Sequence, residues 1–144
     1  MIYTDLTIKA MRLAYSAHHG QLDKAGLPYI FHPYHLAEQM TDEVSTCVAL
    51  LHDVVEDTNV SLEDLKKEFP PEVVEAVDLL THVKGMSYSA YLEKLKVNPV
   101  AKAVKLADIA HNADETRFAG SPADTKGIER RRAKYARAKK FLED

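Results

Sequence analysis

Apolar residues recur three and four positions apart along almost the whole chain, and few runs alternate as a strand would. That period is the one a helix needs to present a single apolar face. The chain is therefore predicted to be all-α. The first predicted helix covers residues 5–19, with Ile8, Met11, Leu13, Ala14 and Ala17 as its apolar positions, and Gly20 ends it. Residues 21–31 read as a loop with Gly26 and Pro28, after which Pro33 suits the first position of a helix carrying Leu36, Ala37 and Met40. One helix is expected over residues 42–57. Ser61 and Asp64 resemble a capping box for residues 62–69, and Pro70-Pro71 breaks that segment and opens another ending near Gly85. Residues 87–97 form a further candidate. Pro99 opens a long stretch over residues 100–118, and Gly120-Ser121-Pro122 separates it from a last, basic helix over residues 123–142.

With 144 residues, no repeat and no flexible linker, residues 1–144 fit one domain with a sizeable core. A net charge of -3 implies no broad affinity for nucleic acid polymers or anionic membranes. No apolar run is long enough to cross a bilayer, and the N-terminus reads as an amphipathic stretch rather than a signal peptide. Cys47 is the only cysteine, which excludes an intrachain disulfide and fits a reducing compartment. A cytoplasmic protein is expected. A homo-oligomer is compatible with a small helical domain, though no motif demands one.

One segment breaks the apolar pattern. In Ala49-Leu50-Leu51-His52-Asp53-Val54-Val55-Glu56-Asp57, four polar side chains interrupt what otherwise reads as a buried helix. Burying imidazole and carboxylates is unfavourable without a compensating partner, and a divalent cation is the simplest one. On a helix, Glu56 lies a turn above His52 and Asp53, and Asp57 a turn above Asp53. His52 and Asp53 themselves point about 100° apart, close enough to reach one ion between them. The stretch after Pro99 repeats the logic with Asp108, His111, Asn112 and Glu115 as a polar stripe. Together with His32, these residues offer imidazole nitrogen and carboxylate oxygen. That donor set suits Mn²⁺, Fe²⁺, Zn²⁺ or Co²⁺ better than Ca²⁺, and the lack of thiolate argues against structural zinc.

A histidine, a histidine–aspartate pair and a distant aspartate resemble the signature of HD-domain phosphohydrolases. The likeness is closest to the Rel/Spo-type alarmone hydrolases. It is carried by His18-His19-Gly20-Gln21, Lys24, Gly26, Pro28-Tyr29-Ile30 and His32-Pro33. The run from Ala49 to Thr58, then Val104-Lys105-Leu106-Ala107-Asp108 and His111-Asn112, continue it. The resemblance implies an HD-domain helical bundle and metal ligands at His32, His52, Asp53 and Asp108, usually holding Mn²⁺. It implies that Glu56 and Asp57 assist hydrolysis of the 3′-pyrophosphate of guanosine tetra- or pentaphosphate, and that Lys24 and Asn112 contact the nucleotide. The chain looks like a small member lacking the synthetase domain of the long ones.

The family usually has arginine where this chain has Asp23, and again where it has Ile109 and Asp114-Glu115. An adenine alarmone is thus a second candidate substrate. An HD-type phosphatase acting on NADPH or a nucleoside monophosphate is an alternative, as is a non-catalytic nucleotide-sensing domain. Arg117, Lys105 or Arg130-Arg131-Arg132 are candidates for replacement phosphate contacts. His18 and His19 read as supporting or surface residues, His35 and His82 as ordinary helix-face histidines, and Tyr88 and Tyr91 as core or cleft wall. The basic run from Arg130 to Lys140 reads as a solvated face.

Overall fold

The computed structural model describes residues 1–119 and 125–144, with side chains omitted at 125 and 126. The expected break at Gly120-Ser121-Pro122 and the expected helix start at Ala123 lie outside the described residues. Among the described residues there is no strand, only an isolated bridge between Leu22 and Pro28. The helices are α1 (Asp5–Ala17), α2 (Phe31–Glu38), α3 (Glu43–Leu51), α4 (Val54–Asp57), α5 (Leu62–Glu68), α6 (Pro71–Leu80), α7 (Tyr88–Lys96), α8 (Pro99–Asn112) and α9 (Thr125–Glu143). A 3₁₀ turn spans Glu115–Phe118. No helix among the described residues is long and apolar enough to cross a membrane.

The helices are set by local chemistry that the chain spells out. Thr4 and Thr7 form a capping box at α1, and Ser61 and Asp64 form the expected one at α5. Asn98 caps α8, accepting from the Val100 and Ala101 N–H groups, with Pro99 at the first helical position. Pro33 is the third residue of α2 rather than its first.

Helix α3 is the centre of the molecule. Every residue from Ser45 to Leu51 is buried, and α1, α2, α6 and α8 all pack against it. A helix buried on all sides is stabilised almost wholly by packing. Its two buried hydroxyls are satisfied at the N-terminus, Ser45 Oγ donating to Asp42 Oδ2 at 2.7 Å and Thr46 Oγ1 to the Asp42 carbonyl at 2.7 Å.

Asp42 also accepts the Ser45 N–H at 2.8 Å, and the Ser45 N–H and hydroxyl hold its carboxyl below the usual range. Asp42→Ala is expected to reduce unfolding free energy by about 1 kcal/mol at neutral pH. A lowered folded pKa means this contribution is present above the ordinary carboxylate pKa and disappears as pH falls through the lowered value. Urea titrations of both proteins should therefore converge in acid, and a gap that persists there would contradict the cap.

The continuous helix expected over residues 42–57 is instead divided. α3 stops at Leu51, and Asp53 sits at φ -109, ψ 0 before the single turn of α4. His52 Nδ1 lies 2.7 Å from the Ala49 carbonyl, the group a continuing helix would offer to the Asp53 N–H. The imidazole replaces the next backbone bond, and the chain turns there. The stretch from Pro99 is likewise split, with α8 ending at Asn112 before the 3₁₀ turn.

Candidate metal centre

The break after Leu51 changes how the two named side chains meet. On a continuous helix they would splay apart; in the turn, His52 Nε2 comes to 2.9 Å from Asp53 Oδ2. From α2, His32 Nε2 reaches Asp108 Oδ1 of α8 at 2.8 Å, and His52 Nε2 lies 3.7 Å from the same oxygen. Donor atoms of His32, His52 and Asp53 all fall within 4.8 Å of one another. The structure thus brings together all four residues predicted as metal ligands.

These donors fit a cation better than they fit each other. His52 Nδ1 faces a carbonyl, so it must carry the proton, which leaves Nε2 with a lone pair. That lone pair points among carboxylate oxygens, buried and with no hydrogen-bond partner. Lone pairs facing lone pairs repel unless a proton or a metal ion lies between them. In the metal-free molecule a proton serves. Burial alone would depress the His52 pKa, but Asp53 and Asp108 together push it well above the ordinary value. His32 has the matching arrangement, with Nδ1 2.7 Å from His111 Nδ1. His111 is pulled down to about 4, chiefly by burial and then by Arg117, so at neutral pH it is uncharged and can accept the His32 N–H. A ligating imidazole commonly donates its second N–H in this way.

Three neighbours hold the carboxylates. Tyr29 donates its hydroxyl to Asp53 Oδ2. Lys105 Nζ pairs with Asp108 Oδ2 at 2.8 Å, and Asn112 Nδ2 donates to Asp108 Oδ1 at 2.9 Å. Burial would raise the Asp108 pKa, yet Lys105 and the two histidines hold it well below the usual range. Tyr29 lies inside the sequence motifs without an expected role in the site, and Lys105, a candidate phosphate contact by sequence, is instead paired with Asp108. The i,i+3 spacing of Lys105 and Asp108 was the available signal.

The acidic pair of α4 stands beside this cluster, with carboxylate oxygens of Asp53, Glu56 and Asp57 within 4.8 Å of one another. Burial, then Asp53 and Glu56, raise the Asp57 pKa to about 6. Glu56 Oε1 accepts the His82 backbone N–H at 2.7 Å. His82 is not on a helix face as expected: α6 ends at Leu80, and the ring stacks on Tyr91 with Nε2 2.7 Å from the Met86 carbonyl. His18 is buried against Tyr29, and His35 stacks on His111 at 4.1 Å.

A cleft of about 250 Å³ opens next to His32, and Lys24, Asn112, Arg131 and Tyr135 line it. The basic C-terminal helix is therefore not simply a solvated face. Arg131 also covers the Phe118 ring, while Arg132 pairs with Glu115 at 2.8 Å. That pairing takes Glu115 out of the polar stripe expected on α8. Asn112 lines the cleft while its amide bridges Asp108 and Arg117.

Comparison with known proteins agrees with this geometry. The HD-domain family model matches residues 10–117. A guanosine-3′,5′-bis(diphosphate) 3′-pyrophosphohydrolase of Borreliella burgdorferi is 35% identical over 120 residues, covering 72% of this chain and 18% of that protein. A GTP pyrophosphokinase of Myxococcus xanthus is 39% identical over 128 residues, covering 75% and 17%. The chain thus spans less than a fifth of these curated relatives. Among solved structures, a metazoan ortholog of SpoT described as hydrolyzing ppGpp superposes with TM-score 0.80 at 26% identity, covering 99% of this chain and 87% of that one. A family match across most of the sequence, on a helical fold with the histidine–aspartate turn at its centre, makes this chain a member of the HD-domain family.

Proposed function

We propose that the protein is a metal-dependent phosphohydrolase that removes the 3′-pyrophosphate from a purine alarmone, with (p)ppGpp or its adenine analogue as substrate. The observation that carries this reading is the buried His52 Nε2, 2.9 Å from Asp53 Oδ2 and 3.7 Å from Asp108 Oδ1 without a hydrogen bond to either, next to an acidic pair and a cleft of about 250 Å³. The names of the Borreliella relative and of the metazoan structure support the choice of substrate class.

In this reading His32, His52, Asp53 and Asp108 hold the ion, with Mn²⁺ the expected occupant. A divalent ion there supplies Lewis-acid polarisation of the phosphoryl group and makes water more acidic. The chain's own residues do the rest. Tyr29, Lys105 and Asn112 fix the carboxylates, so the donors need little rearrangement. The carboxylate of Glu56, anchored by the His82 N–H, orients the attacking water. Asp57, whose carboxylate stands beside those of Asp53 and Glu56, takes the proton of that water. A new bond forms from the water oxygen to the phosphorus next to the 3′-oxygen. The bond from that phosphorus to the 3′-oxygen breaks, and the proton ends on the freed 3′-hydroxyl. Lys24 is exposed in the cleft mouth, with no carboxylate in ion-pair distance among the described residues, and contacts the nucleotide phosphates. Asn112 contacts the nucleotide while holding Asp108.

The test is a panel of ppGpp, ppApp, NADPH and a deoxynucleotide offered to the Mn²⁺-loaded protein, with products identified. Pyrophosphate together with GDP or ADP is expected from the first two. Phosphate released from NADPH alone, or no product at all, would overturn the assignment.

A further inference from the structure

The cleft beside the histidine–aspartate cluster contains an ion pair that the proposed reaction does not use. Arg117 Nη2 donates to Asp23 Oδ2 at 3.0 Å, across a sequence separation of 94 residues. Both side chains are largely buried, 15% and 10% exposed, and both line the cleft together with Lys24, Asn112, Phe118 and Tyr135. Arg117 Nη1 donates to the His111 carbonyl at 3.1 Å and to Asn112 Oδ1 at 3.3 Å. Asp23 is fixed from its other side, Oδ1 accepting the N–H groups of Ala25 and Leu27 at 2.9 Å each.

Two consequences follow from this pinning. The charge of Arg117 is balanced by a carboxylate at hydrogen-bond distance, which weakens it as a grip for phosphate. Its N–H bonds lie in the guanidinium plane, and those engaged are directed at protein acceptors. Three of its five N–H bonds are committed to protein acceptors and hold the guanidinium plane in place, so a planar ligand meets a fixed flat face, and such a face stacks well on a planar ring. Asp23, for its part, has one oxygen filled by two backbone N–H groups and the other turned to Arg117, which fixes its direction toward the guanidinium.

We infer that Arg117, held in place by Asp23, is the surface on which the base of a purine nucleotide stacks in this cleft. Asp23 is then a positioning residue rather than a base reader. The inference rests on the nucleotide reading above and deepens it. Stacking reads the face of a ring and not its edge, so guanine and adenine are bound with similar affinity.

Calorimetric binding of GDP, ADP and inorganic pyrophosphate to the Mn²⁺-loaded full chain tests this without relying on turnover. The wild type is expected to bind GDP and ADP within about threefold of one another, because every base has a π-face. Arg117→Lys keeps the ion pair and loses the flat face. It is expected to keep its melting temperature, to bind both nucleotides about tenfold more weakly, and to bind pyrophosphate unchanged. An equal loss for pyrophosphate would make Arg117 a phosphate grip, and unchanged nucleotide affinity would make it a structural tie; either result overturns the inference. Should Arg117→Lys melt lower, Asp23→Asn decides: weaker nucleotide binding with intact pyrophosphate binding supports the inference, and unchanged nucleotide binding overturns it. A substrate panel without turnover would remove the proposed reaction and leave this measurement standing.

Discussion

Asp53→Ala is expected to abolish both bound divalent metal and turnover, the rate falling about a thousandfold or more. Asp53 is one of two carboxylates facing the unpartnered His52 Nε2, and it also accepts the Tyr29 hydroxyl. Removing it takes away a charged donor and leaves that partly buried hydroxyl without its acceptor. Asp53→Asn separates the two effects, because an amide oxygen can still accept from Tyr29 while its charge is gone. Both variants should lose metal by elemental analysis, but Asp53→Asn should melt closer to the wild type. Glu56→Gln is the contrast. It lies outside the four-donor set, so metal content should stay at the wild-type level while turnover slows. Full metal occupancy in Asp53→Ala would dismantle the proposed centre, and wild-type rates in Glu56→Gln would remove Glu56 from the reaction.

Lys105→Met should produce the largest change in stability. The Lys105–Asp108 pair is 2.8 Å long, with side chains 14% and 9% exposed, and Lys105 also lies 5.2 Å from the Tyr91 ring centroid. Burial disfavours the ammonium, but Asp108 and then Tyr91 and Tyr88 outweigh it and raise its pKa. Methionine matches much of the side chain's length and takes from the buried Asp108 carboxylate the cation on its Oδ2, leaving the histidines and Asn112 on Oδ1. Breaking such a pair from one side typically costs about 3–5 kcal/mol. The metal-free variant should show that loss in urea unfolding. Added Mn²⁺ should restore part of it, since a cation bound to the folded state stabilises that state. A loss below about 1 kcal/mol in the metal-free protein would show that the pair is effectively solvated.

Asp108 gives the same argument its pH dependence. Its folded pKa is lowered, so its contribution is complete above the ordinary carboxylate range and vanishes as pH falls through the lowered value. In Lys105→Met the first attractive partner of that carboxylate is missing, and the acid limb of the stability curve should move toward neutral pH.

How far the sequence could be read depended on the kind of feature. The cap at Ser61 and the proline at the start of α8 act within one helical turn, and they sit where their spacing puts them. The long run at residues 42–57 was read as one helix because its apolar period continues through His52 and Asp53. Periodicity does not register that an imidazole can take the Ala49 carbonyl and turn the chain. Similarly, Arg131 and Tyr135 lie in a segment whose composition is that of a solvated helix. Only the packing of α9 against α8 brings them to the cleft.

Residue types and their spacing by themselves determined an all-helical chain and pointed to imidazoles and carboxylates as candidate donors, with an acidic pair one turn after the histidine–aspartate pair. Those features are local, and helix geometry relates them over four residues. The tertiary structure decided which atoms face one another: the convergence of α2, the α3–α4 turn and α8 on one point, the Tyr29 and Lys105 supports, and the tie from Asp23 to Arg117. Contacts between residues dozens of positions apart depend on how the helices pack around α3, and no periodicity within one segment contains that information.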